Sequence, residues 1–203
     1  AEILLTLTVI GVIAALTIPT IISSTSNIQN KTLAIKKYSD ISAATKKIEI
    51  DNNDIDFSSP ENLRSQFESA MNFINEGTVD EIYFRDKQCY ESNSVCSDAG
   101  TIPTAVSLDG SLLLFFIEST DCTTIAGSLT GICATIGIDL NYKNPPNMVG
   151  KDLFAFYIIK KNSTYNVVPY GSNNDGITCE SGSLNWNTSL GCTNLIMLGK
   201  ELP

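Results

Sequence analysis

Residues 1–22 read AEILLTLTVIGVIAALTIPTII, and this stretch decides how the rest of the chain is arranged. From Ile3 to Ile22 the chain has twenty residues without a charge. Because a helix rises about 1.5 Å per residue, a helix of this length spans about 30 Å, the thickness of the hydrocarbon core of a bilayer. The stretch therefore predicts an apolar helix long enough to cross a membrane.

The helical pattern continues beyond this apolar stretch. Apolar residues recur at intervals of three and four from residue 28 to residue 48, with lysines mostly between them. Such a pattern is typical of a helix that packs one face on a globular body. Gly11 and Pro19 lie inside the apolar stretch, so we expect the helix to bend or unwind locally between them. The sequence predicts one long helix over residues 1–51, with 1–22 as the membrane or core segment and 23–51 packed on a head.

The remaining residues, 52–203, are predicted to form a globular α+β head. Ser59-Pro60-Glu61 is typical of a helix start, and the following apolar stripe predicts a helix that ends at Gly77. Asp109-Gly110 between two apolar runs predicts a β-hairpin with a two-residue turn. Further strands are expected at 133–140, 153–160 and 165–168. The predicted fold class is α+β: a long N-terminal helix, apolar in its first half and amphipathic in its second, packed on an antiparallel β-sheet head with disulfide-stapled loops.

Charge and composition exclude several classes of function. The formal net charge is −9, and the first fifty residues are lysine-rich while the rest is strongly acidic. An acidic body argues against specific nucleic-acid binding through the phosphate backbone. The chain has no histidine, which removes the commonest general base and the commonest zinc ligand. We therefore do not expect an enzyme.

The six cysteines predict disulfide bonds made outside the cytosol. No C-x-x-C motif occurs, so neither a zinc ribbon nor a thioredoxin-type motif is present. An even number of cysteines in loops rich in Ser, Asn and Gly favours disulfides over free thiols. We expect three sequential pairs, because each pair brackets a local loop, although the residues alone leave the pairing open. The candidates are Cys89, Cys96, Cys122, Cys133, Cys179 and Cys192.

The opening stretch resembles a known family. AEILLTLTVIGVIAALTIPT closely resembles the start of mature type IV pilins and of the pilin-like subunits of type II secretion systems. In that family a prepilin peptidase removes a short leader, the new first residue is methylated, and an isolated glutamate precedes a glycine and a proline in the apolar helix. Glu2, Gly11 and Pro19 match those positions, and the match implies that a few residues precede Ala1. More loosely, residues 139–158 also resemble a stretch of such proteins.

The resemblance implies roles for these three residues in assembly. A carboxylate among apolar groups is costly unless it has a partner. The family implies that Glu2 meets the N-terminal amine of a neighbouring subunit. It also implies that Gly11 and Pro19 make a segment that lengthens when the subunit enters a filament. Alternatively, Glu2 remains at a membrane surface, and the other two residues reflect the usual composition of membrane helices.

Oxygen-bearing side chains follow one of the predicted strands. Asp139, Asn141 and Asp152 are ligand types that calcium prefers, and some pseudopilins bind calcium in a comparable position. No EF-hand spacing is present, and loops rich in Asp and Asn also form turns without a metal. Calcium is therefore an open possibility, and no other cofactor is expected.

Taken with the resemblance, the sequence predicts a major pilin that polymerises into an extracellular type IV pilus-like filament for adhesion, motility or DNA uptake. Two alternatives stay open: a pseudopilin of a type II secretion system, and a membrane-anchored binding module that does not polymerise. The expected partners are copies of the chain itself, an inner-membrane assembly platform and the prepilin peptidase. We expect the chain in the cytoplasmic membrane before assembly and on the bacterial surface afterwards.

Overall fold

The computed structural model describes residues 2–80, 101–142, 150–172, 179 and 191–200. Three helices and seven strands lie within these ranges. The helices are α1 (Glu2–Asn52), α2 (Pro60–Ala70) and α3 (Cys192–Met197). The strands are β1 (Phe73–Asp80), β2 (Thr101–Ser107), β3 (Leu112–Ile117), β4 (Thr124–Ala126), β5 (Leu129–Asp139), β6 (Leu153–Lys161) and β7 (Thr164–Pro169).

The seven strands form a single antiparallel sheet. Its order is β1-β2-β3-β5-β6-β7, and the short β4 pairs with β5 outside this path. Strand β6 is apolar along most of its length because both of its faces are covered. Phe154, Phe156 and Ile158 belong to the main core, while Tyr157 and Ile159 belong to a second cluster. This arrangement explains why β6 reads as a continuous apolar run rather than an alternating one.

The second half of α1 packs on this sheet. Ala34, Ile41, Ala44 and Ile48 are buried at the three-, four- and seven-residue intervals of one helix face. Between them the ring of Tyr38 lies 5.5 Å, centroid to centroid, from that of Phe156. The part of α1 from Ala34 to Ile48 therefore packs on the sheet.

Helix α1 also protects the open edge of β7. The backbone N–H of Tyr165 donates to Glu49 Oε1 at 3.1 Å, and the Tyr38 hydroxyl donates to the Val167 carbonyl at 3.2 Å. Unpaired edge groups invite pairing with another chain. These two helix side chains occupy part of that edge, so α1 fixes the position of the last strand as well as covering the core.

The prediction of the fold class is wrong in its apolar half. Within the part of the chain that the structure describes, no helix is long and apolar enough to cross a membrane. Among the residues of α1 whose side chains the structure describes, Ala34 is the first that is buried. The predicted unwinding between Gly11 and Pro19 is also absent, since α1 is helical without interruption from Glu2 to Asn52. The coarser α+β arrangement is present.

Helix α2 begins where the sequence predicted and ends earlier. The Ser59 hydroxyl accepts a hydrogen bond from the Asn62 N–H at 3.1 Å, which confirms the predicted N-cap. The helix ends at Ala70, and the segment predicted to continue to Gly77 is instead strand β1, paired with β2. Strand pairing with β2 overrides the helical spacing of Ile74, although Ile74 is the only β-branched residue from Met71 to Gly77.

The predicted hairpin is present with a longer turn. Strands β2 and β3 are joined by three residues, since the Ser107 N–H donates to the Ser111 carbonyl at 2.9 Å. Gly110 has a φ of +85° and donates its N–H to the Ser107 carbonyl at 2.9 Å. This is a type I turn followed by a left-handed glycine, the usual geometry of a three-residue hairpin. The prediction of a two-residue turn is wrong.

The remaining predicted strands correspond to β5, β6 and β7, with β5 starting earlier than expected. Strand β4 was not predicted, because three residues carry too short a pattern to recognise. The short apolar run at 194–198 lies mostly within α3.

Candidate functional site

The most unusual surface is the first half of α1. Leu7, Ile10, Val12 and Ile13 are each at least 56% exposed. With about 3.6 residues per turn, these four positions point in different directions around the helix axis. A helix that is apolar on all sides is normally buried on all sides. This segment is therefore a surface that other apolar groups are expected to cover.

The three predicted assembly residues all lie on α1. Gly11 is exposed in the middle of the apolar segment, and a Cβ added there would meet nothing within 4 Å. Its small size is therefore not required by packing within one chain. Glu2 and Pro19 lie in the helical backbone, but their side chains fall outside the described residues. The assembly roles of the three residues remain predictions.

A groove lined with lysines lies between α1, the end of α2 and the β2–β3 hairpin. Its volume is about 530 Å³. Lys36 and Lys47 flank an apolar floor that includes Ala43 and Met71, and Leu108 at the hairpin tip forms part of its wall. The groove is open to solvent and carries more positive than negative side chains, in a protein whose net charge is −9.

One wall of the groove is fixed by a buried ion pair. Lys37 is 2% exposed, and its Nζ lies 2.8 Å from Asp109 Oδ1 and donates to Ser107 Oγ at 2.5 Å. Burial would raise the pKa of the Asp109 carboxyl, but hydrogen bonds from Lys37, Ser107 and Ser111 outweigh it and hold this pKa well below its usual 3.8. The pair ties the hairpin to the helix.

The other two lysines of the groove, Lys36 and Lys47, make weaker or different contacts. Lys36 Nζ is 3.8 Å from Asp109 Oδ2, and its side chain is 59% exposed. Lys47 Nζ donates to the backbone carbonyl of Ser69 at 3.1 Å, which supplies no negative charge. The groove therefore holds three lysines and two carboxylates, because Asp40 also lines it, and its net positive charge is small.

The C-terminal end of α1 is acidic. Asp51, Asp54 and Asp56 are exposed where the helix ends, and Asp54 and Asp56 border a cleft of about 920 Å³. Thr120, in the turn that follows β3, also lines this cleft. The next residue, Asp121, is exposed and adds a carboxylate near the end of α1. The molecule therefore has a lysine-rich groove and an acidic end that adjoin each other, since Lys47 of the groove lies about one helical turn before Asp51.

Asp54 is held in place by the sheet. Its carboxylate accepts a hydrogen bond from the Tyr165 hydroxyl and lies 3.1 Å from Lys160 Nζ. The Tyr165 hydrogen bond is the main reason that the pKa of Asp54 is below its usual value. Burial raises the pKa of the Tyr165 hydroxyl. Asp54 is therefore ionised at neutral pH and anchors the end of α1 to β6 and β7.

The structure brings the three calcium candidates together. Asp139 Oδ1 accepts from the Asn141 N–H at 3.1 Å, and Asn141 Nδ2 donates to Asp152 Oδ2 at 3.0 Å. Both carboxylates are buried. Their contacts with Asn141 join the end of β5 to the residues before β6, which is a structural role. In the described ranges, no group of three or more His, Cys, Asp or Glu side chains is placed to hold a metal ion.

Two of the three predicted disulfides are confirmed. Cys122 is bonded to Cys133, and Cys179 to Cys192. The first fixes the turn after β3 to strand β5, and the second attaches residue 179 to the start of α3. The third predicted pair, Cys89–Cys96, lies outside the described residues.

Sequence reasoning missed the lysine groove and the burial of Lys37. The sequence places the lysines of α1 mostly between its apolar positions and assigns them no partner. The groove forms because Lys36 and Lys37 meet the hairpin that carries Asp109. Their proximity arises from tertiary packing, which a single sequence does not report.

The apolar segment, the lysine groove and the acidic end are all surfaces suited to contacts with other macromolecules. No protein-family model, curated protein or solved structure matches the chain significantly.

Proposed function

We propose that this protein is a structural subunit that polymerises into an extracellular filament of the type IV pilin class. The observation that carries the proposal is the exposure of four large apolar side chains on α1, those of Leu7, Ile10, Val12 and Ile13. The match of Glu2, Gly11 and Pro19 to the family's positions supports the same proposal.

Covering this segment is energetically favourable. Burying a Leu, Ile or Val side chain completely contributes roughly 1.5–3 kcal/mol relative to exposure. The four exposed side chains together therefore supply several kcal/mol to any assembly that removes them from water. This burial drives association when contacts with several neighbouring copies together exceed the entropic cost of bringing the chains together.

The distribution of these side chains favours a filament over a dimer. A single partner helix covers one side of α1 and leaves the others in water. Several copies around each helix cover all sides, and identical subunits achieve this when one surface meets a different surface of the next copy. Repetition of such a heterologous contact produces an open helical filament.

The second half of α1 supports the same arrangement. It is packed on the sheet through Ala34, Ile41 and Ile48, so the head is attached rigidly to the helix. In a filament with the apolar segments at its centre, the acidic heads lie outside in contact with solvent. We propose the bacterial surface as the location of the assembled form.

Filament formation by the full chain tests the proposal. Ile10→Asp places a carboxylate in the apolar segment, where burial of an unpaired charge is strongly unfavourable. We expect this variant to fold normally and to form no filaments in electron micrographs of sheared cell-surface material. Ile125→Asp is a matched control, because Ile10 and Ile125 are both 65% exposed and Ile125 lies on β4.

The outcomes separate the alternatives. Long filaments from the wild type and from Ile125→Asp, with none from Ile10→Asp, support the proposed function. Only short periplasmic assemblies would favour a pseudopilin. A wild-type chain that remains monomeric wherever it is found, or an Ile10→Asp variant that assembles normally, would contradict the proposal.

A further inference from the structure

An Asn-Ser-Thr motif lies at the tip of the β6–β7 hairpin. Lys161 and Thr164 are paired across the two strands, so the loop that joins the strands has only two residues, Asn162 and Ser163. Both have positive φ values, 52° and 64°, which is the geometry of a type I′ turn. All three residues of the motif are exposed. The motif therefore occupies a defined, solvent-facing corner of the sheet.

Asn-x-Ser/Thr is the acceptor motif of N-linked glycosylation when it lies in a surface loop of an exported chain. Three such motifs occur in the sequence, at Asn30, Asn162 and Asn187. A motif this short also arises by chance, so burial and backbone conformation have to distinguish between the three. Asn187 lies outside the described residues.

Asn30 is poorly placed to carry a saccharide. It is half-buried within the continuous helix α1, one turn before the buried Ala34 and two turns before the buried Lys37. It therefore belongs to the face of α1 that packs on the head, where a bulky group would compete with that packing. Of the two described motifs, the one at Asn162 lies in a surface loop.

The side-chain amide of Asn162 is available for modification. Within the described part of the chain, it takes part in no hydrogen bond or ion pair. The hydroxyl that the motif requires belongs to Thr164, whose Oγ1 donates to the Lys161 carbonyl at 2.9 Å. This hydrogen bond is exposed, so water or an enzyme group can replace it at little cost. A transferase can therefore reach both groups that define the motif.

The disulfides support the export of the chain on which such a modification depends. Cys122 is bonded to Cys133 and Cys179 to Cys192. Disulfides form and persist in oxidising compartments outside the cytosol. The chain that carries the exposed motif therefore has the chemistry of an exported protein.

The hairpin tip is also far from the exposed apolar segment of α1. Lys160, close to the turn, contacts Asp54 just beyond the end of α1. The helix spans about 58 Å between Ile13 and Asn52. A saccharide at the turn therefore leaves the apolar segment of its own chain accessible.

We propose that Asn162 is the acceptor of an N-linked saccharide. Its Nδ2 forms a bond to C1 of a saccharide that is activated as a lipid-linked pyrophosphate. The bond between C1 and the phosphate oxygen breaks, the lipid pyrophosphate leaves, and one amide proton passes to a base of the transferase. No atom is oxidised or reduced. The modification does not require filament formation, so it and the proposed function can fail independently.

Peptide mass spectrometry of the full chain, purified from the cells that naturally produce it, tests the assignment. Trypsin cleaves after Lys161 and next after Lys200, which leaves Asn162 and Asn187 on one peptide. Chymotryptic cleavage after Tyr165 separates the two motifs. We expect the peptide that contains Asn162 to be heavier than its sequence by the mass of one or more sugar residues.

Three variants examine the motif itself. Asn162→Asp removes the acceptor nitrogen and keeps a side chain that tolerates a positive φ, so we expect the added mass to be lost. Thr164→Ala should lose it as well, because the motif no longer has its hydroxyl. Thr164→Ser is the matched control, since it retains the hydroxyl and should retain the added mass. Melting temperatures establish that each variant folds.

Loss of the added mass in Thr164→Ala together with its retention in Thr164→Ser supports the assignment of Asn162. A wild-type peptide of unmodified mass would overturn it. So would an added mass that persists on this peptide in Asn162→Asp, or equal modification of the two Thr164 variants.

Discussion

At the scale of single residues, the least expected feature is the burial of Lys37. A buried charge is costly unless it is paired and hydrogen-bonded. Asp109 and Ser107 supply those contacts, and a second serine hydroxyl, that of Ser111, donates to Asp109 Oδ1 at 2.8 Å. The sequence does not reveal this burial, because the partners of Lys37 come from a hairpin seventy residues away.

The Asp109 carboxyl predicts a pH dependence of stability. Its pKa is held below the usual 3.8 in the folded state, so the ionised form stabilises the fold above about pH 4. This contribution to stability is lost as the pH falls from the pKa of the unfolded carboxyl toward its lower pKa in the folded state. Asp109→Asn leaves Lys37 without its carboxylate, and we expect a loss of about 2 kcal/mol at pH 7.

Urea denaturation at a series of pH values measures this effect. Between about pH 5 and pH 2 the unfolding free energy of the wild type should fall more steeply than that of Asp109→Asn. Asp51→Asn, which removes an exposed carboxylate at the end of α1, serves as the control. Parallel curves for the wild type and Asp109→Asn would show that the ion pair does not contribute as described.

At the scale of elements, local sequence signals succeeded where they were strong. The N-cap at Ser59, the amphipathic half of α1 and the apolar run of β6 were all recognisable from residue type and period. The end of α2 was not, because Met71 and Ile74 continue the helical spacing while strand pairing decides the outcome. The edge contacts of Glu49 and Tyr38 with β7 likewise depend on tertiary packing.

Strand β5 contains a glycine whose replacement tests the sheet geometry. Gly131 has a φ of +81°, and a Cβ there would lie 2.4 Å from the Lys160 carbonyl oxygen of β6. Gly131→Ala must therefore displace β6 as well as adopt a left-handed conformation, and we expect a loss of about 3 kcal/mol or more. The measurement is the unfolding free energy in urea.

The control for this prediction is Gly110→Ala. Gly110 also has a positive φ, +85°, but a Cβ there would meet nothing within 4 Å. The unfolding free energy of this variant should fall only by the strain of an alanine in the left-handed conformation, about 1–2 kcal/mol. Equal losses at the two glycines would mean that β5 and β6 do not approach each other as closely as described.

At the scale of the whole molecule, the sequence indicated that the first half of α1 requires apolar surroundings, but it did not indicate which. The structure corrected the expectation of a helix that crosses a membrane and left large apolar side chains of α1 exposed. These exposed side chains are the basis on which self-assembly is proposed.

Glu2 provides the last test of that assembly, because the two possible roles of its carboxylate predict opposite results. If Glu2 is buried between apolar helices without a partner, Glu2→Ala removes a desolvation cost and assembly improves. If it meets a cationic group of a neighbouring subunit, Glu2→Ala leaves that group buried and unpaired, which typically costs several kcal/mol. We expect the second result: a normally folded chain that forms no filaments in electron micrographs. Glu61→Ala, at an exposed glutamate of α2, should assemble like the wild type. Filaments from Glu2→Ala in normal or greater amounts would rule out the paired role.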